Sequence, residues 1–195
     1  MFGGIAGRGG NISYCSNEVS IVNSSGYDIG GISGSNADSI NNCYNTGTIV
    51  GNRRVGGIAG NMSGTIEKCY NTGTIFTLEN FGGGITGGEN TGDSKPQLNK
   101  TYNLGTITKA NGNESYTNYG GITGTNLSSG SGNEYLASTY QIGAGDSDYE
   151  GDGTSIKRID DRNDLCATIR ENCSGTYWKI DAGAELPTLD IIQQD

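Results

Sequence analysis

Histidine is absent from this chain of 195 residues, and its absence removes several classes of catalytic site. Histidine is the usual general base near neutral pH, a common zinc ligand and the base of nucleophilic triads. The His-Glu-x-x-His motif of metallopeptidases therefore cannot occur here. Arg53 and Arg54 form the one basic pair in the regular part of the sequence, and no recurring carboxylates accompany them. We therefore expect a protein that is not an enzyme, with a polysaccharide-active β-helix enzyme as a remote alternative.

Basic residues and long apolar runs are also scarce. Lys and Arg number 12 against 21 Asp and Glu, which gives a net charge of −9. This charge argues against a nucleic-acid partner and against an anionic membrane surface. No stretch approaches the ~18 apolar residues of a membrane-spanning helix, so we expect no membrane insertion. No secretion signal precedes the first repeat, so we expect a piece of a longer protein whose signal and anchor lie elsewhere.

Proline is rare at 2 residues, whereas glycine is abundant at 35 residues and recurs in a pattern. The tripeptide Gly-Gly-Ile occurs five times, with steps of 27, 26, 27 and 37 residues between the isoleucines, which are Ile5, Ile32, Ile58, Ile85 and Ile122. A second motif, Cys-Tyr-Asn-Thr-Gly-Thr-Ile, occupies 43–49 and 69–75, with weaker copies at 101–107 and 139–143. A fixed period in the twenties indicates a stacked array.

Alternation within the second motif separates two faces of a strand. The inner face carries Cys69, Asn71, Gly73 and Ile75, and the outer face carries Tyr70, Thr72 and Thr74. An apolar residue three positions before each cysteine breaks this alternation and predicts a bend between two short strands. Glycine at this density disfavours a helix by roughly 1 kcal/mol per site.

These features predict an all-β fold, a right-handed parallel β-solenoid of about five turns over residues 1–150. The handedness follows from the general preference for right-handed crossovers. An antiparallel β-sandwich is the alternative, but it would give no reason for equal spacing of identical motifs. Residues 151–195 are predicted to form a capping segment. Its stretch 160–171 carries Leu165, Cys166 and Ile169 at helical spacing, so we expect a short helix that covers the last open turn together with Trp178.

Two columns are expected inside the stack. Cys15, Cys43 and Cys69 share one repeat position and are predicted to form a buried column of reduced thiols, although turns ~4.8 Å apart would allow a disulfide. Asn45, Asn71 and Asn103 share another position and predict an asparagine ladder at a bend. Cys166 and Cys173 are the only plausible disulfide pair, and both the bridged and the reduced forms stay open.

Outside the stack, tyrosine and threonine are predicted to form exposed rows. The candidate ligand-binding residues are Tyr44, Tyr70, Tyr102, Tyr140, Thr46, Thr48, Thr72 and Thr74. Such rows suit sugar rings or the surface of a host or matrix protein. Matching of an ice lattice is a remote alternative, because Leu104 interrupts the threonines. Strand-forming residues that merely shield the ladder edges would give the same pattern.

One acidic segment resembles the start of a calcium loop. Asp146, Asp148, Glu150 and Asp152 supply oxygen atoms at alternate positions, and Gly151 stands at the sixth. The twelfth position holds Lys157, where a bidentate glutamate is needed. Bound calcium is therefore one hypothesis and a solvated acidic linker the other. We expect no other cofactor.

The two motifs also carry a family resemblance. Gly-Gly-Ile-Ala-Gly followed by Cys-Tyr-Asn-Thr-Gly-Thr-Ile resembles the GLUG repeat of bacterial surface proteins, and Tyr-Trp-Lys-Ile-Asp before Leu-Pro-Thr-Leu is similar to the ending seen after such repeats. The resemblance covers about 1–145 and 160–190. It implies a secreted or wall-attached bacterial protein and supplies no catalytic residues. We therefore expect a monomeric, non-catalytic stalk or adhesive display module, whose partner would be a glycan or a host protein.

Overall fold

The architecture is a stack of short parallel strands in a computed structural model, which describes residues 1–35, 38–88, 95–110, 118–125, 129–139 and 156–190. In chain order its elements are β1 (Phe2–Gly3), β2 (Ala6–Arg8), β3 (Asn11–Ser13), β4 (Ser16–Asn17), β5 (Ile21–Gly30), β6 (Ser33–Ser35), β7 (Ser39–Asn41), β8 (Tyr44–Asn45), β9 (Ile49–Gly56), β10 (Ala59–Asn61), β11 (Thr65–Glu67), β12 (Tyr70–Asn71), β13 (Ile75–Thr77), β14 (Gly82–Gly83), β15 (Gln97–Asn99), β16 (Tyr102–Asn103), β17 (Ile107–Lys109), β18 (Tyr119–Gly120), β19 (Ser129–Ser131), β20 (Asn133–Leu136), β21 (Ile156–Ile159), α1 (Arg162–Asn172), β22 (Trp178–Lys179) and β23 (Thr188–Leu189).

Four parallel sheets run along the stack, and each sheet collects one strand from successive coils of the chain. Sheet A contains β1, β5, β9, β13 and β17 with β14 and β18, sheet B contains β2, β6 and β10, sheet C contains β3, β7, β11, β15 and β19, and sheet D contains β4, β8, β12, β16, β20 and β21. The register aligns equivalent residues, so that Ile49 pairs with Ile21 on one side and with Ile75 on the other. The predicted parallel β-solenoid is thereby confirmed; its handedness and turn number stay predictions.

Apolar columns fill the inside of the coils. One cluster contains the isoleucines of the Gly-Gly-Ile copies from Ile32 to Ile122, together with Ile40, Ile66 and Leu98 of sheet C. A second cluster is formed by buried side chains of sheet A, including Ile49, Ile75 and Ile107. Each copy therefore supplies the same small apolar set to a shared core, which is why an array so rich in glycine is ordered.

The predicted bend before each cysteine is confirmed. Tyr14, Asn42, Lys68 and Lys100 have φ values of 54°, 53°, 50° and 52°, in the left-handed region. Each of these residues lies between a strand of sheet C and a strand of sheet D. The bend turns the chain from one sheet into the next, so the two strands cannot share one alternation of inward and outward side chains.

The second glycine of Gly-Gly-Ile is required by a close contact across the coil. A Cβ atom on Gly57 would lie 2.6 Å from Asn71 Oδ1, and a Cβ atom on Gly31 would lie 2.6 Å from Asn45 Oδ1. Real Cβ contacts are not that short, so only glycine leaves room for the asparagine of the second motif. The two repeated motifs are therefore halves of one packing unit.

The C-terminal part adds a helix and a hairpin. The helix α1 begins after Asp161, whose carboxylate accepts a hydrogen bond of 2.7 Å from the Asn163 N–H, and it buries Leu165, Cys166 and Ile169 as predicted. The strands β22 and β23 pair antiparallel. In addition, β21 continues the ladder of sheet D beside β20, inside the stretch that the sequence assigns to the capping segment.

Candidate functional site

The outward tyrosines Tyr44, Tyr70 and Tyr102, called here the tyrosine file, stack in register along sheet D. The rings of Tyr44 and Tyr70 are parallel within 3°, with 5.1 Å between their centroids. The prediction that this file is exposed is wrong, because the three side chains are only 3%, 1% and 1% exposed. They point away from the inside of the coils, as alternation requires, but another part of the chain covers them.

The cover is the tail, defined here as residues 160–190. Its helix and hairpin form a third apolar cluster with the tyrosine file, to which Leu165, Ile169 and Trp178 contribute. This cluster lies outside the coils. The prediction that Trp178 covers the last turn is therefore wrong, since Trp178 packs on the side of the stack.

Specific contacts fix the hairpin on this side. The Trp178 ring lies 6.2 Å from the Tyr44 ring and 6.1 Å from the Tyr70 ring, and its Nε1–H donates to Asn42 Oδ1 at 3.2 Å. The Tyr70 hydroxyl donates to the Pro187 carbonyl at 2.5 Å. One hairpin therefore contacts two neighbouring coils through both polar and aromatic groups.

The ends of the tail extend this contact along the stack. The Tyr177 ring lies 4.6 Å from the Tyr14 ring, in the first coil. At the other end, the helix α1 packs against β20 and β21, the last strands of sheet D. Arg162 forms a bidentate pair with Glu185 at 2.7 and 2.9 Å, which joins the helix to the segment before β23. The tail thus reaches from the first coil to the last described one.

Burial under the tail changes the acidity of the covered groups. Desolvation raises the pKa of the Tyr70 hydroxyl well above its usual range, and the neighbouring Tyr44 adds to the effect. Desolvation likewise raises the pKa of the Tyr102 hydroxyl, and it raises the pKa of the Cys173 thiol to about 12. Burial thus favours the neutral form of these groups, and the neutral Tyr70 hydroxyl donates its hydrogen bond to the tail.

The other candidate binding residues, the threonines, differ in their exposure. Thr46 is exposed, whereas Thr48, Thr72 and Thr74 are partly buried. Leu104, which stands in the threonine column, is buried in the cluster under the tail. The structure therefore does not bring the predicted tyrosines and threonines together as one open surface. Tyr140 lies outside the described residues.

The asparagine ladder is confirmed. Side-chain amides bond from coil to coil: Asn17 Nδ2 donates to Asn45 Oδ1 at 2.6 Å, Asn45 Nδ2 to Asn71 Oδ1 at 2.7 Å, and Asn71 Nδ2 to Asn103 Oδ1 at 2.9 Å. Each amide also donates to the carbonyl two residues ahead. Their donors are consumed within the stack, so these asparagines are structural.

All five cysteines are unpaired. Cys15, Cys43 and Cys69 form the predicted column of free thiols, in which the N–H groups of Cys15 and Cys43 donate to the sulfur atoms of Cys43 and Cys69, each at 3.4 Å. Cys43 and Cys69 are buried, and Cys15, in the first coil, is partly buried. Cys166 and Cys173 do not form a bridge. They lie seven residues apart along α1 and its C-terminal cap, a separation of about 10 Å along a helix axis, which is too long for a disulfide.

The calcium hypothesis concerns Asp146, Asp148, Glu150 and Asp152, which lie outside the described residues. Within the described ranges, no group of three or more Cys, Asp or Glu side chains is arranged to hold a metal ion. The one helix there, α1, is too short and too polar to cross a membrane.

A sequence signal for the covered face does exist. The outward tyrosines repeat at one position of the motif, and the tail carries Trp178, Leu186 and Leu189, which have no place in the repeat. An aromatic outer row and an apolar segment outside the array are complementary surfaces. Reading them together would have predicted the contact that the structure has.

Comparison with known proteins identifies one segment of the array. The family model of the GLUG motif matches residues 51–75. The chain contains a GLUG motif. The matched segment runs from within β9 to the start of β13, so the GLUG motif corresponds to nearly one coil, including both the Gly56-Gly57-Ile58 corner and the Cys69–Ile75 segment. No curated protein and no solved structure matches the chain significantly.

Proposed function

We propose that this chain is a non-catalytic GLUG-repeat module that acts as a stiff stalk in a bacterial surface protein. The observation that carries the proposal is the tail on the tyrosine file. The surface best suited to a ligand is occupied by the chain itself, and the same contact connects the first coil to the last described one.

Stiffness would follow from how the coils are joined. In a stack of repeats each coil contacts only its neighbours, so coils can separate one at a time. A segment that contacts several coils makes their separation cooperative, because one coil cannot leave without breaking contacts of the others. Here Tyr177 contacts the first coil, while Trp178 contacts Asn42 and Tyr70 of the next two.

The polar ladder supports the same role. Buried hydrogen bonds between the side-chain amides of the asparagines are costly to break one at a time, because each broken hydrogen bond leaves a donor or an acceptor without a partner inside the stack. The ladder and the tail therefore restrain the inner and the outer face of sheet D together. A module of this kind holds other parts of a surface protein at a fixed distance and needs no ligand.

Single-molecule stretching between the two chain ends tests the stalk. We expect the wild-type chain to unfold in one event, and Trp178→Ala to unfold in several steps at lower force. Ile180→Ala is the matched control, because Ile180 directly follows β22, the strand that contains Trp178, and its side chain is 51% exposed. Stepwise unfolding of the wild-type chain would contradict the proposal.

A binding screen tests the other half of the proposal. The folded chain is applied to an array of glycans and host-matrix proteins, and a stalk gives no specific signal. A specific signal that is lost in Thr46→Ala would show instead that the module is adhesive.

A further inference from the structure

The open edge of the first coil has most of what a further coil would need. Phe2 and Ile5 are 50% and 49% exposed there, whereas Ile29 and Ile32, stacked on them in the next coil, are completely buried. Among the described residues, the exposed large apolar side chains apart from Ile180 all belong to residues 1–27. The apolar columns of the core therefore end at an uncovered surface.

The polar groups of that edge also continue the pattern of the stack. The N–H groups of Tyr44 and Thr46 donate to the carbonyls of Cys15 and Asn17 in the preceding coil. The equivalent groups of the first coil are the N–H groups of Ser16 and Glu18, and no coil of the described residues lies on that side. Asn17 Oδ1 stands at the end of the asparagine ladder. In each later coil, the Oδ1 atom of the ladder asparagine accepts a hydrogen bond from Nδ2 of the asparagine in the preceding coil, so Asn17 Oδ1 is placed to accept from a further coil in the same way.

One residue of the edge departs from the pattern. Val19 occupies the position that is glycine in the next three coils, Gly47, Gly73 and Gly105. A Cβ atom on each of these glycines would lie 2.6, 2.8 and 2.9 Å from the carbonyl carbon of the equivalent residue in the preceding coil, and closer still to its oxygen. The obstacle is backbone, which cannot rotate away. Val19 has the Cβ atom, and it is 68% exposed.

We propose that Val19 closes the open edge to a further GLUG coil in register, including a coil of a second copy of this chain. The exposed apolar side chains, the Ser16 and Glu18 N–H groups and Asn17 Oδ1 fit such a coil, so the Val19 side chain decides whether the edge accepts it. The consequence is that this edge does not pair in register with a coil of another chain, and such pairing is a common hazard of strand edges. The inference does not rest on the stalk function.

The test adds a coil of known fit. A second copy of residues 30–55 is placed directly before Gly3, so that the new junction repeats the natural Val55-Gly56 junction. The added coil is examined with Val19 and with Val19→Gly, and hydrogen exchange is measured at the Ser16 and Glu18 amides. With Val19 we expect exchange as fast as in the unextended chain. With Val19→Gly we expect exchange slower by about 100-fold, as for amides inside the stack.

Two controls separate stacking from a general change of stability. Val19→Gly in the unextended chain should leave hydrogen exchange at both amides fast, because no added coil is there to accept their hydrogen bonds. Val22→Gly in the extended chain should also leave them fast, since Val22 points outward from sheet A. Protection of Ser16 and Glu18 in the extended chain with Val19 would overturn the proposal. Fast exchange in the extended Val19→Gly chain would overturn it as well.

Discussion

At the scale of single residues, each ladder asparagine serves two coils at once. Asn71 is completely buried, donates to Asn103 Oδ1 and to the Gly73 carbonyl, both at 2.9 Å, and accepts from Asn45 Nδ2. Buried amides are stable only when their groups are paired, and here the repeat itself supplies the pairs. The neighbouring tyrosine hydroxyls find their partners elsewhere: Tyr70 donates to the Pro187 carbonyl of the tail, and Tyr44 donates to Glu18 Oε1 of the first coil at 2.9 Å.

Tyr70 gives the first prediction at this scale. Tyr70→Phe removes the hydrogen bond to the Pro187 carbonyl and leaves that oxygen without its donor, so we expect a loss of about 1–2 kcal/mol of unfolding free energy at pH 7. Denaturant unfolding measures it. Tyr27→Phe is the control, because Tyr27 is exposed and should lose nothing measurable.

The pH dependence of the same variant follows from the raised pKa of Tyr70. A hydroxyl whose pKa is higher in the folded than in the unfolded chain contributes stability that is complete below the unfolded pKa of about 10 and is lost as the pH rises further. We therefore expect wild-type stability to fall more steeply than that of Tyr70→Phe above pH 10. Equal slopes for the two proteins would contradict the burial of this hydroxyl.

At the scale of elements, a coil depends on glycines that bring backbone and side chains together. Gly57 lies against Asn71, which belongs to the other half of the same GLUG motif. Gly57 follows β9 of sheet A, and Asn71 lies in β12 of sheet D. The two residues are distant along the sequence of the repeat, but they touch in the folded coil. This contact explains why the two motifs recur together.

Gly57→Ala tests that contact. The new methyl group would overlap the Asn71 amide and the backbone of the next coil, so we expect a loss of about 1–3 kcal/mol of unfolding free energy. Thermal or denaturant unfolding measures it. Gly7→Ala is the matched control from the first copy of the motif, because the nearest atom to its new Cβ would lie 3.9 Å away. Equal effects of the two substitutions would show that the corner has room.

The elements that the sequence predicts well are those that the repeat specifies. Equivalent positions such as Ile49 and Ile75 lie in neighbouring coils, so the spacing alone determines their register and their inward direction. The helix α1 was predictable too, because Leu165, Cys166 and Ile169 have helical spacing after an acidic first turn. Alternation also gave the outward direction of Tyr70 correctly.

The exposure of Tyr70 could not be obtained in that way. Alternation states which side of a strand a residue occupies, but not what covers that side. The cover comes from a non-repeated segment 117 residues farther along the chain, at Pro187. Its position depends on the complementarity of two apolar surfaces rather than on any period, so the repeat pattern predicts only that the tail covers the end of the stack.

At the scale of the whole molecule, the tail adds contacts with several coils to the nearest-neighbour contacts of the stack, and we expect tail and coils to act as one unit. The described coils share an inner core of isoleucines, and the tail adds an outer core that includes the tyrosine file and Trp178. Because the tail contacts the first coil through Tyr177 and the last strands of sheet D through α1, we expect loss of the tail to weaken all of the coils together.

Equilibrium unfolding in urea, followed with two signals, tests this account most directly. Trp178 is the only tryptophan, so its fluorescence reports the tail, while far-UV circular dichroism reports the strands of the coils. We predict that the two transitions coincide, with one midpoint and one slope, because tail and coils unfold as one unit. A fluorescence transition at lower urea than the loss of strand signal would show that the tail detaches from an intact stack, and it would contradict the account.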